Sequence, residues 1–268
     1  MTKRLALFAV VFVIATFGAV PAQAADSGTL VLGGVECNLI EVPAATPIGT
    51  GPCPGVRPGA LVETPVGLCS FNFLFAGSDG ERYIGTAGHC ILEADDERTW
   101  SAGTGPFARD SDGNRVGEFA YAVLGGERDF ALIRLDAGVA ASPQMCHFGG
   151  PTYLNDTNPA DPVVLNHYGQ GIGVTSVTPA RSALAFGMPN DNHVFASGVA
   201  IFGDSGSGIQ SDDGGAVGVV VTIGVHLASL GTNGIDAGTI GITRLTPQLA
   251  RASQLLGPTF ELQTAALL

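Results

Sequence analysis

Three short segments of this 268-residue chain carry side chains that together could do nucleophilic and acid–base chemistry. Gly203-Asp204-Ser205-Gly206-Ser207-Gly208 sets a serine among small residues, which let the backbone turn tightly and approach a carbonyl group. The N–H groups of Gly203 and Ser205 are candidates to point together as an oxyanion hole. Thr86-Ala87-Gly88-His89-Cys90 ends an apolar run with a histidine, and Asp129 stands at the head of the strand-like run Phe130-Ala131-Leu132-Ile133. An imidazole that takes the hydroxyl proton, held from behind by a carboxylate, turns a weak hydroxyl into a nucleophile. A carboxylate drawn inward at a buried strand also needs a hydrogen-bond donor, which the histidine Nδ1–H would supply.

The order His, Asp, Ser discriminates between folds. The nucleophile elbow of α/β-hydrolases needs G-x-S-x-G and the order Ser, acid, His, whereas Ser207 occupies the last position of that pattern here. A GDS-type esterase would carry its serine early and a D-x-x-H late, and no D-x-x-H follows Ser205. In these three segments the chain resembles the trypsin/chymotrypsin-like serine proteases in their bacterial secreted form. The resemblance implies an all-β fold of two six-stranded antiparallel Greek-key β-barrels with a C-terminal helix. It implies an endopeptidase working through an acyl-enzyme, with His89 as base, Asp129 orienting it, Ser205 as nucleophile, and Gly203 and Ser205 forming the oxyanion hole. It further implies a protein or peptide substrate, a monomer, and no metal or other cofactor. A family disulfide closes the loop bearing the histidine, which pairs Cys69 with Cys90. The alternatives are a non-catalytic protease-like binding protein or a serine esterase.

The rest of the chain supplies the elements that must position these groups. Lys3 and Arg4, an apolar run from Leu5 to Val20, and Ala22-Gln23-Ala24 make a secretory signal over residues 1–24. Residues 25–60 are an N-terminal segment and possible pro-segment, rich in Pro and Gly from Glu41. Residues 61–140 are expected to form the first barrel, and residues 141–268 the second barrel with its helix. The hairpin of residues 67–75 and Arg82 to Thr86 delivers His89, and short β-like pieces from Val163 to Thr243 build the second barrel. The helix is read from Thr246, as N-cap, to Gly257, with a loosely held tail beyond it. A net charge of −12 and a single lysine argue against nucleic acid, and no stretch beyond the signal is suited to stable membrane insertion.

Two details stay open at this level. Cys37, Cys53 and Cys146 leave three pairings, of which Cys37–Cys53 is preferred. Val31-Leu32-Gly33-Gly34-Val35 resembles the mature start of trypsin-like enzymes, where a freed amine pairs with the aspartate before the nucleophile, here Asp204. With Leu30 in place of a basic residue before it, an ordinary glycine turn is the preferred reading. The stretch Ser197 to Phe202 contains no carboxylate, so the first specificity pocket is expected to take an uncharged side chain. His226 inside that pocket would instead favour an acidic one.

Overall fold

The computed structural model describes residues 29–32, 35–38, 53–156, 163–171, 179–185, 190–223 and 239–268. The chain divides into Met1–Pro43 and Ala44–Leu268. In the first unit, strands β1 (Thr29–Leu32) and β2 (Val35–Asn38) pair antiparallel with Leu32 opposite Val35. Val31 and Leu32 thus lie on one of two paired strands and Val35 on the other, and Gly33 and Gly34 lie outside the described residues.

The second unit begins with eight strands: β3 (Leu61–Thr64), β4 (Gly67–Ser70), β5 (Leu74–Gly77), β6 (Arg82–Thr86), β7 (Asp96–Thr99), β8 (Phe107–Arg109), β9 (Arg115–Gly125) and β10 (Arg128–Leu135). There follow β11 (Tyr153–Leu154), β12 (Val163–Tyr168), β13 (Ala180–Ala185), β14 (His193–Ser197), β15 (Gly208–Ser211), β16 (Gly215–Ile223) and β17 (Thr239–Arg244). Helix α1 (Leu245–Leu256) and strand β18 (Phe260–Leu262) end the chain.

The expected pair of barrels takes two different forms. In the second, β16-β15-β12-β13-β14-β17 closes on itself through the pairing of β16 with β17. The first is a nine-stranded half-barrel, β18-β5-β6-β10-β9-β8-β3-β4 with β7 on β9, and no pairing among the described residues closes it. Its core is aromatic, with Phe71, Phe73, Phe75, Tyr83, Phe119, Tyr121 and Phe130 fully or almost fully buried. The closed barrel is filled by smaller aliphatic groups such as Leu165, Val194, Ile209, Val220 and Ile242. A six-stranded barrel is narrow, so branched aliphatic side chains fill it where aromatic rings would overpack.

Three local expectations change. The helix is capped by Arg244, in extended conformation and with no side-chain cap bond, so Thr246 lies inside the first turn; Gly257 ends it at φ 100°. Residues 67–75 are two strands, interrupted where Asn72 and Phe73 exchange backbone bonds with Gly85. The tail beyond Gly257 is tied down. Strand β18 pairs with β5, and Gly150, Ala265 and Leu268 form backbone bonds that run the final residues along 148–151. The tail therefore straps the first sheet to the connection between the sheets. Arg251 of α1 makes a second tie, donating from Nε and Nη2 to the Glu97 carboxylate of β7 at 3.0 and 2.6 Å.

Candidate active site

The histidine half is built by sheet register. Strand β10 runs antiparallel to β6 with Ala131 opposite Thr86, and continuing that register by two residues sets Asp129 beside the Gly88–Cys90 turn that follows β6. Gly88 is required there: a Cβ would run into the Val123 carbonyl of β9 and come 3.1 Å from the Phe130 nitrogen. Asp129 is buried, and both of its oxygens are used. The His89 N–H donates to Oδ1 at 2.9 Å, and His89 Nδ1 lies 2.6 Å from Oδ2. A carboxylate only accepts, so the ring proton sits on Nδ1 and the lone pair on Nε2. The His89 side chain keeps 31% of its surface, as a group that meets substrate must.

The cysteine after His89 is pinned as well. Cys90 is disulfide-bonded to Cys69 at the end of β4, with a Cα–Cα distance of 6.3 Å, and its carbonyl accepts from the Thr64 hydroxyl at 2.5 Å. Among the described residues, Cys69, His89 and Cys90 are also the one cluster of potential metal-ligand atoms within 4.8 Å of one another. The two sulfurs are spent on each other, and a metal needs thiolates. The second disulfide joins Cys53 to Cys146 across 93 residues, which corrects the preferred Cys37–Cys53 pairing. The Cys146 N–H also bonds the Pro58 carbonyl, so the segment before β3 is fastened to the connection between the sheets.

The nucleophile loop depends on glycine. Gly203 and Gly206 sit at φ 101° and 89°, where a side chain is strained, and a Cβ on Gly206 would collide with Thr86 Oγ1 and the Ser70 carbonyl. That close approach lays the loop against the strand end that carries His89. Ser205 is partly exposed, while Gly203 is buried. The N–H groups of Gly203 and Ser205 have no acceptor among the described residues. Their neighbours do: Asp204 N–H bonds the Ile201 carbonyl, Gly206 N–H the Val220 carbonyl and Ser207 N–H the Asp204 carbonyl. The loop thus leaves two backbone donors unspent beside Ser205.

Beneath the loop lies a group of residues that sequence reasoning missed. Asp204 is fully buried and ion-paired with Arg181 of β13. It also accepts from the N–H groups of Ile201 and Gly171, both at 2.8 Å. A buried carboxylate is tolerable only with such a set of partners. The counter-ion of Asp204 is therefore an internal arginine, and the loop needs no freed N-terminal amine. His167 is also fully buried, with Nε2 3.3 Å from the Val199 carbonyl and Nδ1 3.3 Å from Ser207 Oγ. Desolvation lowers its pKa from 6.5 to about 4, while the opposed charges of Asp204 and Arg181 offset each other around it. His193 on β14 is lowered by burial too, with the Glu127 carbonyl and the charges of Glu127 and Asp129 acting the other way.

The pocket expectations are only partly within view. His226 lies outside the described residues. Across Ser197 to Phe202 the apolar side chains do not share one face: Ala200 is buried, whereas Val199 and Phe202 are 59% and 82% exposed.

Two sheets joined by one connection and followed by a C-terminal helix make this the fold of chymotrypsin-like serine proteases. Among solved structures, the chain superposes on a Nocardiopsis protease with a TM-score of 0.52 at 19% identity, covering 78% of this chain and 98% of that one. Protease A of Thermobifida fusca gives 0.51 at 15%, covering 78% and 99%. A glutamic acid specific serine protease that uses a histidine triad in substrate binding gives 0.51 at 18%, covering 77% and 100%. At these identities the likeness is one of fold. No protein-family model and no curated protein matches the sequence.

Proposed function

We propose that this chain is an exported serine endopeptidase that cleaves peptide bonds through His89, Asp129 and Ser205. The observation that carries the reading is the two-point grip of Asp129 on His89, through Nδ1 at 2.6 Å and the backbone N–H at 2.9 Å. A surface histidine needs neither bond, and a base that must hold one tautomer needs both. In the reaction, Ser205 Oγ attacks the carbonyl and His89 Nε2 takes its proton. Asp129 stabilises the imidazolium, and the proton passes to the leaving amine. The unspent N–H groups of Gly203 and Ser205 receive the oxyanion, and water then repeats the sequence on the acyl-enzyme.

The first subsite is proposed to take an uncharged side chain, since Ser197 to Phe202 has no carboxylate and the buried Asp204 is committed to Arg181. Export rests on the signal pattern of residues 1–24 and on two disulfides, which persist in oxidising compartments. Among the described residues no helix is long and apolar enough to cross a membrane. Residues 25–60 are proposed as the N-terminal segment, its last part fastened to the catalytic body through Cys53 and Cys146, and the protein is proposed to act as a monomer.

The test is labelling of the secreted protein by a fluorophosphonate probe, beside Ser205→Ala and His89→Ala. Labelling of wild type lost in both variants is expected, with kcat on peptides falling about 10⁶-fold in Ser205→Ala. Unlabelled wild type, before and after limited proteolysis, would overturn the reading in favour of a non-catalytic binding protein.

A further inference from the structure

The two residues that face the oxyanion are held by their carbonyls, and both carbonyls go to one residue of the other sheet. Ser70 ends β4 and is fully buried. Its N–H donates to the Ser205 carbonyl at 2.8 Å. Its hydroxyl donates to the Gly203 carbonyl, also at 2.8 Å. The same hydroxyl accepts from the Gln170 N–H at 3.1 Å, and the Ser70 carbonyl accepts from the Thr86 hydroxyl at 2.9 Å. Every polar atom of Ser70 is therefore engaged, with three different segments. The residue before it, Cys69, is bonded to Cys90, the residue after His89.

We propose that Ser70 is a positioning residue for the oxyanion hole, its hydroxyl fixing the Gly203–Asp204 peptide next to the Phe202–Gly203 peptide that carries the donor N–H, and tying the Ser205 loop to the histidine hairpin. The proposal rests on the peptidase reading above. Gly203, at φ 101°, has no Cβ to restrict rotation of the peptide groups on either side. An oxyanion donor works only when its N–H is aimed at the developing charge before the reaction begins. The restraint must then come from outside the loop, and the Ser70 hydroxyl is the side-chain group that supplies it. The grip on Ser205 is made by backbone and survives any substitution, so the side chain of Ser70 acts through Gly203.

Deleting the hydroxyl leaves the Gly203 carbonyl and the Gln170 N–H buried without this partner. The Gly203–Asp204 peptide then turns toward another partner, and the Phe202–Gly203 peptide beside it, which carries the donor N–H, loses its anchored neighbour and its aim at the oxyanion. Because the oxyanion exists only in the transition state, the loss falls on kcat and leaves KM in place. Removing an oxyanion donor outright costs about 10²–10³ in kcat, and misaiming one is expected to cost about tenfold.

The test compares wild type, Ser70→Ala, Ser70→Gly and Ser70→Thr in p-nitrophenyl acetate turnover, per site titrated with fluorophosphonate. Affinity is read with phenylethaneboronic acid, which becomes tetrahedral on the serine, and with hydrocinnamamide, which stays planar. Ser70→Ala and Ser70→Gly both delete the hydroxyl, so either one, folded, serves. They are expected to lose about tenfold in kcat and in boronate affinity while keeping the affinity for the amide, with Ser70→Thr retaining all three. Unchanged turnover per titrated site would overturn the proposal. So would boronate and amide affinities that fall together, the mark of a merely structural role. Wild type that neither labels nor turns over would overturn the peptidase reading and this proposal with it, whereas active wild type matched by the deletion variants would overturn the role of Ser70 alone.

Discussion

The half-barrel that carries His89 and Asp129 and the closed barrel that carries Ser205 solve the same problem differently. In the first, neighbouring strands do the positioning: β6 and β10 are adjacent, and their register alone brings Asp129 to His89. In the second, Ser205 sits on a loop whose glycine conformations have little rigidity of their own. Its restraint comes from a buried ion pair below, Asp204 with Arg181, and from Ser70 of the opposite sheet. The cores follow the same division, large aromatic rings under the open sheet and small aliphatic groups in the closed barrel. The difference teaches that His89 is ordered by secondary structure and Ser205 by tertiary structure. Damage to the first should appear in chemistry, and damage to the ion pair beneath the second in folding.

The largest expected effect tests the first half. Asp129→Asn should lower kcat about 10⁴-fold, because an amide fixes the wrong histidine tautomer, with the circular dichroism spectrum retained. A loss of only a few-fold would mean that the sheet, and not the carboxylate, orients the ring. Next is Arg181→Met, which strands a fully buried carboxylate. Urea unfolding should show a loss of about 3–5 kcal/mol, partly recovered by adding Asp204→Asn. If stability barely changes, the ion pair does not support the loop and the comparison fails.

The smallest effect concerns pH. His167 binds a proton near pH 6.5 when unfolded and only near 4 when folded, so the unfolded state is favoured as pH falls through that window. Stability gained from neutral His167 is full above about pH 6.5 and declines by up to about 3 kcal/mol toward pH 4. Replacing it in His167→Leu should lower the slope of the acid limb by up to one proton, measured as unfolding free energy against pH. An unchanged limb would assign acid sensitivity to other groups.

Much of the site was legible because its signals are local. Glycines around Ser205, the aspartate opening an apolar strand, and Cys90 directly after His89 are each read within a few residues. Arg181 was not legible: one arginine in a short alternating strand reads as a surface residue, and only barrel closure turns it inward to Asp204. Ser70 looked like an ordinary strand residue, because its partners are 100 and 133 positions away. The three-residue β18 pairs as an edge with β5, so the tail had no periodic pattern by which to be found.

By itself the sequence determined the turns, the strand alternation and the chemical identity of the triad candidates, while the Cys69–Cys90 bridge was expected from the family resemblance alone. Those depend on backbone conformation and on groups close along the chain. Tertiary structure alone decided that Asp204 pairs with Arg181, that Cys53 joins Cys146, that one barrel closes while the other stays open, and that one hydroxyl spans the two. Each of these is a choice among many chemically equivalent partners, and it is made by strand register and closure, which bring distant residues within hydrogen-bonding range.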